Sequence, residues 1–294
     1  MKLFHIHSVG RNFAKVHKAS TRPSMSLIVL LLATILILPS FALAEVRKEY
    51  YPTGELQHYK TYVNGVQEGV TKEYYKSGQL KAEEIYKNDK REGNKKMYYP
   101  SGKLSIEGNF VNGLAEGLVK FYYENGNLEK ELNYVNEKRE GLQREYYKSG
   151  QLKQEARYKN DKEEGILKKY HTNGKLSEEV NYKNGELEGI GKYYYEYGSR
   201  LEINYKNGKR EGLAKGYDNN GKLDSEINWK NGKQEGLERS YYENGDLFYE
   251  VNYKNDKEDG ISKKYHKNGK LKEEENYKNG ELEGISKEYH ENGK

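Results

Sequence analysis

The chain has 294 residues, of which 30 are Tyr and 31 Gly, and it contains no Cys, which excludes a disulfide framework, thiol chemistry and a Cys-based metal site. Its formal charge of +5 comes from five basic residues (Lys2, Arg11, Lys15, Lys18, Arg22) in a first stretch, 1–44, that has no Asp or Glu. The rest is formally neutral, so neither nucleic acid nor direct contact with anionic lipid is expected of it.

In chain order the first element is a leader. Residues 27–38 read Leu-Ile-Val-Leu-Leu-Leu-Ala-Thr-Ile-Leu-Ile-Leu, with basic residues before them and Pro39 and Ser40 after. Ala42-Leu43-Ala44 fits the small-x-small cleavage pattern, so 1–44 is expected to be a signal peptide cleaved after Ala44. The run falls short of the roughly 20 apolar residues that a membrane span needs. The expected location is the periplasm, the cell surface or the medium.

From there to the end a single pattern recurs. The first Tyr of successive units stands at 50, 74, 98, 122, 146, 170, 194, 217, 241, 265 and 289, a step of 24 that is 23 once. A fixed period of this size signals an array rather than a globule. The second unit shows the grammar: Tyr74-Tyr75-Lys76-Ser77-Gly78-Gln79-Leu80, then Glu83, Tyr86-Lys87-Asn88-Asp89 and Glu92-Gly93. Pairs such as Ser77-Gly78 and Asn64-Gly65 mark two turns per unit, because Gly and Asn tolerate positive φ. The segments between turns, with Tyr, Val, Ile and Leu among alternating charges, read as strands. Residues 45–294 are therefore expected to form about ten 24-residue hairpin units and a partial last one. The expected fold is all-β, an elongated single-layer antiparallel sheet.

The hairpin register can be derived. If Lys76–Gln79 is a four-residue loop, Tyr75 faces Leu80 and Lys72 faces Glu83. The same arithmetic pairs Lys96 with Glu107, Arg144 with Glu155 and Lys263 with Glu274, and eight of ten units place opposite charges across the hairpin. Such pairs contribute roughly 0.2–1 kcal/mol each. This register puts Tyr75, Leu80 and Tyr86 on one side and Val70, Tyr74 and the charge pair on the other. The short unit, which lacks one residue between Gly198 and Tyr205, is expected to need a bulge or an altered turn, with Leu201 in the Leu80 position.

The pattern Tyr-Tyr-x-x-Gly-x-Leu … Tyr-Lys-Asn-Gly-x-x-Glu-Gly, over residues 50–294, resembles the bacterial variant of the MORN repeat, of the kind found in proteins labelled YwqK family antitoxin. The resemblance implies consecutive hairpins in one sheet. The Trp common in the eukaryotic form survives only at Trp229. No phosphate-loop motif accompanies the repeats.

No catalytic set emerges, and no enzyme, cofactor or metal is expected. His171, His266 and His290 occupy the second-Tyr position and read as stand-ins for Tyr. The Glu-Gly column (Glu68, Glu92, Glu116 and equivalents) reads as exposed turn ends. The candidate binding residues are one aromatic column: Tyr74, Tyr98, Tyr122, Tyr146, Tyr170, Tyr194, Tyr217, Tyr241 and Tyr265. The expected role is a non-catalytic, exported scaffold for a protein partner, with self-association through open sheet edges a further expectation. The alternatives are glycan or cell-wall binding and toxin binding in an antitoxin or immunity role.

Overall fold

A computed structural model describes residues 43–293. All of the leader except Leu43 and Ala44 lies outside the described residues. Among those described there is no helix, and thirty strands form one antiparallel sheet. The first five are β1 (Ala44–Tyr50), β2 (Leu56–Val63), β3 (Val66–Gln67), β4 (Gly69–Tyr74) and β5 (Leu80–Lys87). β1 pairs with β2, β2 with β3 and β4, and β4 with β5. The alternation of six- and eight-residue strands with two-residue strands continues to Lys287–Glu288, except that Arg200–Lys206 has seven residues and the nine-residue Lys233–Tyr241 takes in its two-residue neighbour.

Each unit is made by two different turns. At the Asn-Gly turn both residues are left-handed, as in Asn64 (φ 52°) and Gly65 (φ 82°), which is the type I′ geometry that matches sheet twist. Four units put a non-Gly residue second: Asp89, Glu137, Asp161 and Asp256. At the other turn the Tyr75 N–H donates to the Gln79 carbonyl (2.8 Å) and the Gly78 N–H to the Tyr75 carbonyl (2.8 Å).

That second turn corrects the register near the loop. Lys72 does face Glu83, but Tyr74, not Tyr75, pairs with Leu80, and Lys81 is the extra residue of a β-bulge. Leu80 therefore lies on the side of Tyr74 and the charge pair, not with Tyr86. The loop is five residues because the Tyr75 amide closes it, which counting from the Gly alone does not reveal.

The short unit is corrected too. Lys192 pairs with Glu202, Tyr193 with Leu201 and Tyr194 with Arg200, with no register shift. Its turn keeps both hydrogen bonds, from the Tyr195 N–H to the Ser199 carbonyl (2.9 Å) and from the Gly198 N–H to the Tyr195 carbonyl (3.0 Å). The missing residue is the bulge residue, so the deletion removes a bulge instead of creating one and no side changes. Arg200 takes the Leu80 position and Leu201 the Ala82 position.

The core is a row that the sequence reading did not single out. On the side opposite the charge pairs, Val119, Ala156, Leu167, Val180, Ile203, Ala214 and Val251 are buried. They are linked strand to strand through pairs such as Leu167–Val180 and Gly191–Ile203. Tyr158, Tyr182 and Tyr193 pack against this row. Gly108 also stands in it, where a Cβ would come within 2.9 Å of a Val119 methyl. In the outer units the row is polar, with Thr71 opposite Glu84 and Ser262 opposite Glu275. The apolar part of the row thus runs from Val119 to Val251, and beyond it Ser262 is still buried but polar.

Glu137 sits at φ 64° in the second turn position, and its side chain has no hydrogen-bond or ionic partner among the described residues. Glu137→Gly should relieve left-handed strain and raise stability by about 1 kcal/mol, measured by urea unfolding.

Candidate binding face

The side of the sheet that carries the charge pairs is built in three parallel rows, each fixed by the ladder. The middle row is one uninterrupted column. Within hairpins Lys72 faces Glu83 and Lys96 faces Glu107; between hairpins Glu83 faces Lys96 and Glu107 faces Lys120. The sign alternates at every long strand through to Glu274 and Lys287, the short unit included. Lys72 reaches Glu83 at 3.2 Å, while Arg144 lies between Glu131 (3.8 Å) and Glu155 (3.7 Å). Each exposed pair contributes little alone. The repetition matters because a slip by one residue would carry a strand's charged residues to the other side of the sheet.

The second row holds the candidate tyrosines. The structure does bring Tyr74, Tyr98, Tyr122, Tyr146, Tyr170, Tyr194, Tyr217, Tyr241 and Tyr265 into equivalent places, each beside the column. Six of them turn the hydroxyl inward to a column carboxylate. Tyr122 donates to Glu107 (2.6 Å), Tyr146 to Glu131 (3.0 Å), Tyr241 to Glu226 (2.9 Å) and Tyr265 to Glu250 (2.9 Å). Tyr170 and Tyr217 make the same bond at 3.5 Å. Tyr74 has Tyr59 where these have Glu. Burial first, then the carboxylate bond, pushes the hydroxyls of Tyr122 and Tyr265 up to about 12. Those six are thus engaged in holding the sheet, and their free surface is ring rather than hydroxyl.

The third row was only partly legible. Val70 faces Ile85, and in later units an aliphatic residue faces Asn: Leu118–Asn133, Ile166–Asn181, Ile190–Asn204 and Ile261–Asn276. Ile166, Ile190 and Ile261 are 53–55% exposed. The signal was available, since an apolar residue follows the Gly of most Glu-Gly pairs, but its exposure could not be read from one strand. Where this row meets β1 it opens into a hollow of about 620 Å³ whose lining includes Val46, Tyr59, Val63, Val70 and Tyr74.

Two further sets of residues tie unit to unit. The second Tyr of each pair donates to the carbonyl of the first Tyr in the next unit: Tyr51 to Tyr74 (2.9 Å), Tyr75 to Tyr98 (2.8 Å), Tyr123 to Tyr146 (2.8 Å) and Tyr242 to Tyr265 (2.7 Å). His171 and His266 take over this bond through Nε2, to the carbonyls of Tyr194 and Tyr289, both at 2.8 Å. This is the physical content of His standing in for Tyr. The series breaks at Tyr195 and Asp218, where the backbone pairing between units lengthens instead.

The Glu-Gly column is corrected from exposed turn ends to clasps. Glu68 accepts the Asn88 N–H (2.9 Å) and Glu92 the Asn112 N–H (2.9 Å). The series continues through Glu116, Glu140, Glu164, Glu188, Glu211 and Glu235 to Asp259. A carboxylate thus satisfies an amide of the next unit's turn.

Compared with known families, ten segments match the pattern described as "MORN repeat variant": 46–64, 67–88, 91–112, 115–136, 139–160, 163–184, 210–231, 234–255, 258–279 and 282–294. The short unit falls in the gap between 184 and 210. No curated protein matches the chain. Among solved structures, a chain of the crystal structure of TcdB2-TccC3-Cdc42 is 13% identical, with 85% of this chain and 15% of that one covered and a TM-score of 0.18. The structure of TcdB2-TccC3-TEV gives 10% identity, 80% and 17% coverage and a TM-score of 0.13. Scores this low carry no argument about fold or role.

Tyr123→Phe should lower stability by about 1 kcal/mol through the lost staple, whereas Tyr195→Phe should be neutral, compared by urea unfolding. The raised Tyr hydroxyls also set a pH limit. The folded chain binds these protons more tightly than the unfolded one, so the stability they contribute is complete below pH ~10 and is lost as pH rises towards ~12. Absorbance titration of tyrosinate should show a late group near ~12 that merges with the rest in denaturant.

Proposed function

The chain belongs to the MORN repeat variant family, whose units build repeat scaffolds and are generally non-catalytic, and from that premise we propose an exported scaffold that binds a protein partner on its charged and aliphatic side. The observation that carries this reading is the exposed aliphatic row from Val70 through Ile166 and Ile190 to Ile261, running beside a column of fixed alternating charge. An apolar stripe supplies affinity on desolvation, and patterned charge supplies register and selectivity. Export is proposed from the leader at 1–44, with Glu45 as the first residue of the secreted form. Binding of a toxin, as the label of bacterial relatives suggests, would be one form of the same role.

In-cell crosslinking followed by mass spectrometry should recover a protein bound to the native chain. Ile166→Lys with Ile190→Lys should abolish that adduct without unfolding the sheet. Retention of the adduct, or retention on cell-wall glycan alone, would overturn the proposal. N-terminal sequencing of the fractionated protein checks the export part, with Glu45 expected at the start.

A further inference from the structure

The two outermost strands of the described sheet differ sharply. At one end the strand Lys287–Glu288 is two residues long and sets Glu288 opposite Glu273, a short edge with like charges that discourages addition of another strand. At the other end β1 is seven residues long and is paired along its whole inner side with β2. Among the described residues nothing pairs with its outer side. Val46 and Tyr50 are exposed on it.

The sequence of β1 is complementary to itself. Glu45 and Arg47 flank Val46 and lie together on the side opposite Val46, because successive residues of a strand alternate. Their side chains already form an ion pair, and the Arg47 guanidinium lies over the Tyr62 ring at 4.1 Å, which holds the charge in place. An antiparallel copy of β1 can be laid against it about a two-fold axis perpendicular to the sheet. That axis keeps both sides of the sheet continuous, so a residue must meet one from its own side. Centred on Glu45 or Glu49, the pairing opposes identical carboxylates. Centred on Arg47 it opposes Glu45 to Glu49, and centred on Lys48 it opposes two lysines. Centred on Val46 it opposes Val46 to Val46 and each Glu45 to the Arg47 of the second copy.

We propose that the partner of β1 is a second copy of this chain, joined through the edges of β1 with Val46 on the two-fold axis. The joint continues the antiparallel pattern of every other strand pair. It also continues the aliphatic row, since Val46 lies one repeat before Val70 and beside the same hollow. The inference concerns the purified chain alone and does not depend on any other protein partner being found.

Sedimentation velocity of the purified full chain over about 1–100 μM should show a monomer–dimer equilibrium. Glu45→Arg or Arg47→Glu alone should weaken it about tenfold or more, and the two together should restore it. Because the chain has no Cys, Val46→Cys gives a second readout that does not rely on affinity. Mild oxidation should link two copies of that variant covalently, and Glu49→Cys should not link. A wild-type monomer throughout, failure of the double reversal to restore the dimer, or equal crosslinking at both positions would each overturn the proposal.

Discussion

The structure depends on register. A sheet this thin has little interior, and its order rests on every strand meeting its neighbours at one offset. The alternating column from Lys72 to Lys287 enforces that offset, because a one-residue slip would move a strand's charged residues to the apolar side and bring Val180 and its equivalents into water. The short unit shows how strictly the offset is kept. A residue is missing, yet Lys192 still stands between Glu179 and Glu202 because the loss falls on the one residue outside the ladder.

Joining the units is a separate matter from forming them. Two turns close each hairpin, but three side-chain devices tie hairpin to hairpin: the column, the Tyr or His staple and the Glu clasp on the next turn. The clasp runs without a break from Glu68 to Asp259, whereas the staple fails at Tyr195 and Asp218. Where it fails, Arg200 stacks on Tyr217 at 4.0 Å and the inter-unit ladder is longer. Each unit thus leans only on its neighbours, the nearest-neighbour logic of repeat proteins.

The proposed binding side follows from these structural duties. Hydroxyls such as that of Tyr122 look like free recognition groups in the sequence, but they are bonded to column carboxylates. What is left exposed is the aliphatic row, which has no structural duty beyond its strand pairing. That division, with polar groups holding register and apolar groups facing outward, is why the row is the better candidate for contact than the tyrosines.

The hairpin fold and the Lys72–Glu83 type of pairing were readable from the sequence, because turn chemistry and a period of 24 are local properties that recur in each unit. The stand-in role of His171 was readable for the same reason. The position of Leu80 was not, since it depends on a bulge set by the Tyr75 amide. Nor were the clasps, since Glu68 and Asn88 belong to different hairpins. The buried row also escaped, because Leu167 and Thr71 hold equivalent strand positions and only the stacking of neighbours makes one of them a core residue. Sequence by itself determined what each hairpin is; tertiary structure decided how hairpins meet, because the groups that join them lie about one repeat apart and become neighbours only after the sheet has formed.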